Sequence, residues 1–209
     1  MKNILIILKA VIIVSLITGC TVTRGDQRSI NSNDGGNVNY ALIIIDVQND
    51  YFEGGRHALY NPSDALSNIE SILKHFRERN LPVIHVQHIN SRGTGFFEPD
   101  TIGVQIHENI TPLANETLIV KRDVSSFAGT ELETILRRNG INGLIITGMQ
   151  TNVCVRSAVN DCIMRGIRVI LLEDACAARS LDIHNDTINF FKSLPGDFVV
   201  IMETGEYIR

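Results

Sequence analysis

The stretch Tyr40-Ala-Leu-Ile-Ile-Ile-Asp46 decides the fold class of this chain. It is a short, continuous apolar run rich in β-branched residues, which is typical of a strand buried on both faces. Five further runs of strand-like composition follow it, at residues 81–87, 117–121, 143–148, 167–173 and 197–201. One helical pattern begins at residue 61, and three others occupy residues 130–139, 152–165 and 183–194. This alternation predicts an α/β protein with three αβα layers and a six-stranded, mainly parallel sheet.

Three residues with reactive side chains fall at equivalent places in this pattern. Asp46 ends the first strand, Lys121 ends the third, and Cys154 opens the helix after the fourth. Right-handed crossovers bring the carboxyl ends of parallel strands to one edge, where ligands bind. Taken singly, these residues fit a loop cap, a solvated strand end and an inert packing cysteine. Together they predict a site in which an ammonium group and a helix N-terminus lower the pKa of the thiol.

Length and charge limit the remaining classes of protein. The chain has 209 residues and a formal net charge of −4, which suits one domain over residues 40–209. No basic patch is present, so we expect no nucleic acid partner.

The first residues have the features of an export signal. A basic start and an apolar stretch over residues 1–19 predict a signal peptide. Ile17-Thr-Gly-Cys20 resembles a bacterial lipobox, which predicts lipidation of Cys20 and a flexible, polar tether over residues 20–39. We therefore expect an exported, membrane-anchored lipoprotein of the bacterial cell envelope. An ordinary secretory signal or an uncleaved signal anchor is the alternative.

The four cysteines do not predict a zinc site or a complete set of disulfides. Cys20, Cys154, Cys162 and Cys176 form no CxxC pair. Cys154 and Cys162 lie about 12 Å apart along one predicted helix, which is too far for a disulfide. If Cys20 is lipidated, three cysteines remain, an odd number, so at least one thiol should stay free.

Four segments carry a resemblance to a known family. The sequence is similar to the isochorismatase-like cysteine hydrolase superfamily, which includes nicotinamidases, N-carbamoyl amide hydrolases and streptothricin hydrolases. The similarity extends over nearly all of residues 40–201. The matching segments are residues 41–51, 120–132, 144–155 and 166–175.

The resemblance implies an Asp–Lys–Cys triad formed by Asp46, Lys121 and Cys154. Asp46 would act as general base and then acid, Lys121 would hold the aspartate, and Cys154 would form a thioester. A cis peptide is implied at Met149–Gln150, with the backbone N–H groups of Gln150 and Cys154 forming an oxyanion hole.

The resemblance also implies a pocket and an assembly. Tyr51, Gln48 and Phe127 would line the substrate pocket, although Gln48 fits a loop-bonding role equally well. A neighbouring subunit of a homo-oligomer would help to shape the pocket. The resemblance implies no cofactor.

Two departures from the family's patterns narrow the reaction. The Asp-x-His that supports a metal in one type of nicotinamidase is missing, so His85, His88 and His107 are interpreted as strand or loop histidines, and no metal site is expected. Isochorismatases themselves lack the nucleophilic cysteine, so Cys154 argues against cleavage of a vinyl ether. The sequence therefore predicts hydrolysis of a small-molecule substrate at an amide-type C–N bond: an amide, lactam, ureido or carbamoyl group.

Two other functions were weighed. Ser71-Ile-Leu-Lys74 has the S-x-x-K form of penicillin-binding acyltransferases, but it lies inside an amphipathic helix and no K-T-G follows. A non-catalytic, ligand-binding lipoprotein on the same fold is the second alternative, because a thiol outside the cell is exposed to oxidants.

Overall fold

The computed structural model describes residues 38–196 and 198–209. The predicted signal peptide (1–19), Cys20 and nearly all of the predicted tether (20–39) lie outside the described residues, so lipidation and export remain predictions. Within the described part, no helix is both long enough and apolar enough to cross a membrane.

The described chain forms one six-stranded sheet with the order β3-β2-β1-β4-β5-β6. All five strand pairs are parallel, so the prediction of a mainly parallel sheet is confirmed. The strands are β1 (Tyr40–Ile45), β2 (Val83–His88), β3 (Thr117–Lys121), β4 (Gly143–Met149), β5 (Arg168–Ala177) and β6 (Val199–Met202).

Helices cover both faces of the sheet and complete the three predicted layers. One face packs against α1 and α5, and the opposite face packs against α2, α3 and α4. The helices are α1 (Pro62–Glu78), α2 (Leu132–Arg138), α3 (Arg156–Met164), α4 (Leu181–Lys192) and α5 (Thr204–Ile208).

Strand β1 shows why a continuous apolar run is needed at the centre of such a sheet. Leu42 and Ile44 lie in the core beneath α1, while Ala41, Ile43 and Ile45 lie in the core on the opposite face. Because side chains alternate between the faces of a strand, a central strand must be apolar at every position.

Strand β5 is longer than the sequence predicts. The charged residues Glu173 and Asp174 suggest a strand end, yet β5 continues to Ala177. Asp174 accepts hydrogen bonds from the backbone N–H and the hydroxyl of Thr204, each at 2.8 Å, and Glu173 pairs with Lys192 at 2.9 Å. Contacts with distant segments therefore satisfy the two charged side chains and let the strand continue past them.

The helix predicted over residues 152–165 has a distinct first turn. Residues Thr151–Val155 form a π-helical turn, and the α-helix α3 begins only at Arg156. The N–H of Val155 donates to the carbonyl oxygen of Gln150 at 3.2 Å. Cys154 thus lies inside an irregular turn rather than in the first turn of a regular helix, and such turns are frequent at functional sites.

Substitution of Gly148 tests the close approach between β4 and β1. Its φ is +127°, and a Cβ there would overlap the backbone of Ile45. Gly148→Ala is expected to lower the free energy of unfolding by roughly 3 kcal/mol or more, because it adds backbone strain and overpacking. Urea unfolding measures this. Gly205→Ala in α5 meets open space and is the control; equal losses in both variants would contradict the explanation.

Candidate active site

The structure brings the three predicted reactive residues together at the carboxyl edge of the sheet. The Lys121 Nζ lies 2.8 Å from the Asp46 Oδ2 and 3.2 Å from the Cys154 Sγ. All three residues are at most 3% exposed. Strands far apart in sequence therefore place a carboxylate, an ammonium group and a thiol within contact distance of one another.

The Lys121 ammonium group is fixed by several acceptors. Besides its ion pair with Asp46, it donates to the carbonyl oxygens of Asp123 and Val124, each at 3.0 Å, and to the Cys154 sulfur at 3.2 Å. These three acceptors match the three N–H donors of a lysine ammonium group. The group therefore has a defined position beside the sulfur.

Electrostatics at the site favour a protonated thiol in the resting protein. Burial raises the pKa of Cys154, the Asp46 carboxylate raises it further, and the Lys121 charge lowers it by less. Burial lowers the pKa of Lys121, but the interactions with its neighbours, that with the Asp46 carboxylate first among them, outweigh this effect and raise it. The expectation of a lowered thiol pKa is therefore wrong, because burial and a neighbouring carboxylate disfavour a second negative charge.

The Asp46 carboxylate is suited to accept a proton. Burial raises its pKa, and Lys121 opposes this increase. Lys121 holds it as an ion pair, but within the described residues neither carboxylate oxygen accepts a hydrogen bond of good geometry. Among the described residues, no backbone donor therefore occupies its lone pairs.

The local backbone explains how Asp46 leaves the sheet. Its φ is +53°, in the left-handed region that aspartate tolerates better than most residues. Its N–H still donates to the carbonyl oxygen of Val86 in β2 at 3.0 Å, while its own carbonyl accepts from the N–H of Gln48 at 2.9 Å. The chain turns out of β1 at the residue that carries the carboxylate.

The hydrogen bonds of Gln48 match the loop-bonding role, not the pocket role, of the two that the sequence left open. Its side chain is fully buried. Its Nε2 donates to the carbonyl oxygens of His88 and Val104 at 2.8 and 2.7 Å, and its Oε1 accepts from the N–H of His88 at 2.8 Å. Both Nε2 protons are used, so Gln48 joins the end of β2 to the following loop and is not available to substrate.

His88, interpreted from the sequence as a strand or loop histidine, lies in the site. It ends β2 beside Lys121 in β3, and its Nδ1 lies 3.4 Å from the Lys121 Nζ. Burial and the Lys121 charge lower the pKa of His88 to about 4, so the ring is neutral at physiological pH. The signal that marked Lys121, a polar residue at the carboxyl end of a buried strand, applies equally to His88.

His88, Asp46 and Cys154 also have the composition of a metal site. One potential ligand atom from each lies within 4.8 Å of the others. The Lys121 ammonium group, however, contacts all three residues at 2.8 to 3.4 Å. A fixed positive charge thus occupies the place that a metal ion would need.

The segment before Cys154 has the predicted backbone. The Met149–Gln150 peptide is cis. The carbonyl oxygen of Gln150 accepts from the N–H groups of Val153 and Val155 at 3.1 and 3.2 Å, whereas no hydrogen bond among the described residues uses the Gln150 N–H. The Gln150 side chain donates to the Tyr51 hydroxyl at 3.4 Å.

The other two predicted pocket residues differ in their placement. Tyr51 is buried near the triad, and the pKa of its hydroxyl is raised by burial and then by Cys154. Phe127 packs beneath the Arg165 side chain, 4.5 Å from its guanidinium carbon, at the end of α3 remote from Cys154. Phe127 also belongs to the same core cluster as Cys154, and its role in the pocket remains a prediction.

Arg179 brings a positive charge to the same edge. It lies two residues after Ala177, the last residue of β5, which pairs with Met149 of β4. Its exposed guanidinium donates to the His57 Nδ1 at 2.8 Å, and its charge lowers the pKa of the Tyr51 hydroxyl against the opposing effects of burial and Cys154. Among the described residues it forms no ion pair with a carboxylate. Its place in the sequence gave no signal, because an arginine after a strand is usually solvated.

Comparison with known proteins agrees with this fold. The isochorismatase domain family matches residues 40–205. An uncharacterised isochorismatase family protein of Bacillus subtilis, YddQ, is 37% identical over 81% of this chain and 98% of its own length. N-carbamoylsarcosine amidase of an Arthrobacter species is 30% identical over 66% of this chain and 60% of its own length. An isochorismatase-like hydrolase from Alkaliphilus metalliredigens superposes with a TM-score of 0.76 at 26% identity, covering 83% of this chain and 97% of that structure. The chain therefore belongs to the isochorismatase family.

Proposed function

We propose that this hydrolase cleaves a small amide-type C–N bond through a covalent thioester on Cys154. The observation that supports this most is the contact of one buried ammonium group with both a carboxylate and a thiol, at 2.8 and 3.2 Å. A nucleophile beside a base that a third group holds in place is the arrangement that covalent catalysis requires.

In the first step, the Cys154 sulfur attacks the substrate carbonyl carbon while its proton passes to Asp46. The thiol pKa is raised in the free protein, so proton transfer accompanies attack instead of preceding it. Lys121 stays protonated beside the sulfur. Its positive charge stabilises the negative charge as this moves from the Asp46 carboxylate to the reacting atoms. The N–H groups of Gln150 and Cys154 are proposed to donate to the oxyanion that forms on the carbonyl oxygen.

The second half of the cycle returns the enzyme to its resting state. The C–N bond breaks, Asp46 gives its proton to the leaving nitrogen, and an amine or ammonia departs. Water then attacks the thioester carbon and loses a proton to Asp46, and the proton returns to the sulfur as the acid product leaves. Atoms balance with one water consumed per bond cleaved.

The positive charge of Arg179 narrows the proposed class of substrates. Asp46 and Lys121 cancel one another, which leaves Arg179 as an added positive charge near Tyr51. A guanidinium without an ion-pair partner is well suited to bind a carboxylate in two-point contact. The relative named N-carbamoylsarcosine amidase is named for a substrate with both a carbamoyl group and a carboxylate. We therefore propose small amides or ureido compounds with an anionic group as substrates.

A binding protein without catalysis is the alternative, and the nucleophile distinguishes the two functions. Cys154→Ala should abolish ammonia release from a panel of small amides and N-carbamoyl amino acids, because no other group can form the thioester. Cys162→Ala, also buried but in α3, is the control and should keep activity. Ammonia release by Cys154→Ala, or no release from any substrate by the wild-type protein, would contradict catalysis by this residue.

The role of Asp46 has a pH-dependent signature. In the wild type, alkylation of Cys154 by iodoacetamide should be slow at pH 7 and still rise above the ordinary thiol pKa of about 8.5. Asp46→Asn removes the carboxylate that raises the thiol pKa, so it should label faster at pH 8 and yet lose hydrolysis. Mass spectrometry of the labelled peptide measures the rate. Slower labelling of Asp46→Asn would show that the carboxylate activates the free thiol instead.

Arg179 can be tested by comparing charged and uncharged substrates. For N-carbamoylglycine, Arg179→Met should raise KM roughly tenfold to hundredfold, since a hydrogen bond to a charged group is lost. The methyl ester of the same compound should be hydrolysed equally by wild type and variant. Arg138→Met, on the exposed side of α2, is the matched control. An equal loss for acid and ester would rule out recognition of the carboxylate.

We also propose that the enzyme acts outside the cytoplasm, attached to the membrane through a lipid on Cys20. This proposal is supported by the sequence of residues 1–20 alone. Cys20→Ser should move the protein from the membrane fraction to the soluble fraction when cells are fractionated. Retention of the variant in membranes would favour an uncleaved signal anchor.

A further inference from the structure

Asp50 joins two loops next to the site with its carboxylate. It lies in the short turn after β1 and is only 4% exposed. Its Oδ2 accepts from the N–H of Phe97 at 2.6 Å, and its Oδ1 accepts from the N–H of Arg56 at 3.2 Å. No ion pair to Asp50 exists within the described residues. A buried carboxylate therefore depends on two backbone donors from separate segments.

The backbone of Asp50 makes the same connection. Its N–H donates to the carbonyl oxygen of Gly103 at 2.9 Å, and its carbonyl accepts from the N–H of His57 at 2.8 Å. A Cβ on Gly103 would overlap the Asp50 carboxylate. Gly103 has no left-handed φ in this structure, so what requires glycine at this position is the space taken by Asp50.

Phe97 is the residue that Asp50 holds towards the site. It is fully buried with a φ of +50°, which is unfavourable for a bulky side chain and persists only where the surroundings fix it. Its ring lies 4.8 Å from the ring of Tyr51 and 6.0 Å from that of His88. Phe97 thus packs against Tyr51, which contacts Gln150, and against His88, which contacts Lys121.

The opposite side of this loop faces a cavity of about 550 Å³ between residues 49–56 and 95–107. Phe96 and Asp50 line that cavity, whereas Asp46, Lys121 and Cys154 do not. The rings of Phe96 and Phe97 are 4.9 Å apart. The loop therefore presents one aromatic ring to the cavity and the next to the residues around the triad.

We infer that Asp50 is a positioning residue: it holds Phe97 against Tyr51 and His88 and so shapes the wall of the substrate pocket. The inference rests on the proposed amidohydrolase activity for its kinetic consequence, but not for its structural one. Asp50 touches none of the triad atoms. Its loss should weaken substrate binding more than it slows the chemical step.

The kinetic test is a double-mutant cycle on the contact between Asp50 and Gly103. Asp50→Ala should raise KM roughly tenfold to hundredfold with a much smaller effect on kcat, because a charge-assisted hydrogen bond is lost outside the reacting centre. Gly103→Ala should raise KM as well, since its methyl group displaces the carboxylate. In the double variant, the alanine at 103 meets no carboxylate, so KM should not exceed that of Asp50→Ala.

Two further variants separate positioning from general damage. Asp50→Asn keeps one oxygen for the Phe97 N–H and should retain a KM between those of the wild type and Asp50→Ala. Asp100→Asn changes an exposed carboxylate on the same loop and should leave kcat and KM unchanged. Multiplicative effects of Asp50→Ala and Gly103→Ala, or equal losses of kcat and thermal stability in all Asp50 variants, would overturn the positioning role.

Alkylation of Cys154 tests the inference without turnover. Displacement of Phe97 should loosen the packing of Tyr51 and His88, so iodoacetamide should label the neighbouring Cys154 several-fold faster in Asp50→Ala and in Gly103→Ala than in the wild type. Labelling at the wild-type rate in both variants overturns the inference even if the protein is an amidohydrolase. Faster labelling in a protein that cleaves no amide supports the role of Asp50 and contradicts the proposed function alone.

Discussion

The buried ion pair between Asp46 and Lys121 is the interaction on which the site depends. The strand order β3-β2-β1 means that the two residues do not belong to neighbouring strands, so their contact spans the end of β2. Two unit charges without solvent are costly, and removing one partner alone typically costs about 3–5 kcal/mol. The carbonyl oxygens of Asp123 and Val124 offset this cost on the lysine side, and neutral His88 lies beside the pair without adding a charge.

The end of β1 solves a second problem, which is to present a carboxylate without breaking the sheet. The left-handed backbone of Asp46 turns the chain away from β2. The amide of Gln48 then hydrogen bonds with both backbone groups of His88, much as a neighbouring strand would. Asp50, two residues later, ties the loops in the same region together. One short segment therefore supplies a proposed catalytic group, a strand-end contact and a loop contact.

Burial also decides how the proposed nucleophile would work. A preformed thiolate beside Asp46 would place two negative charges in a space without water, so the thiol keeps its proton until a carbonyl group is at hand. In the proposed mechanism, the carboxylate then acts as a base, and Lys121 balances the charge before and after proton transfer. A buried, protonated thiol also reacts slowly with oxidants, which weakens the argument that a cysteine nucleophile could not serve outside the cell.

The sequence by itself predicted the sheet, the layers and the meeting of Asp46, Lys121 and Cys154 at one edge of the sheet. Apolar runs such as residues 40–45 require burial on both faces, and a charged residue at the end of such a run must find a partner at the common edge of a parallel sheet. The roles of Gln48, His88 and Arg179, the length of β5 and the direction of the Cys154 pKa shift were decided only by the tertiary structure. Each of these depends on hydrogen bonds or charges contributed by segments distant in the chain, and local sequence patterns contain no information about which distant group lies within contact distance.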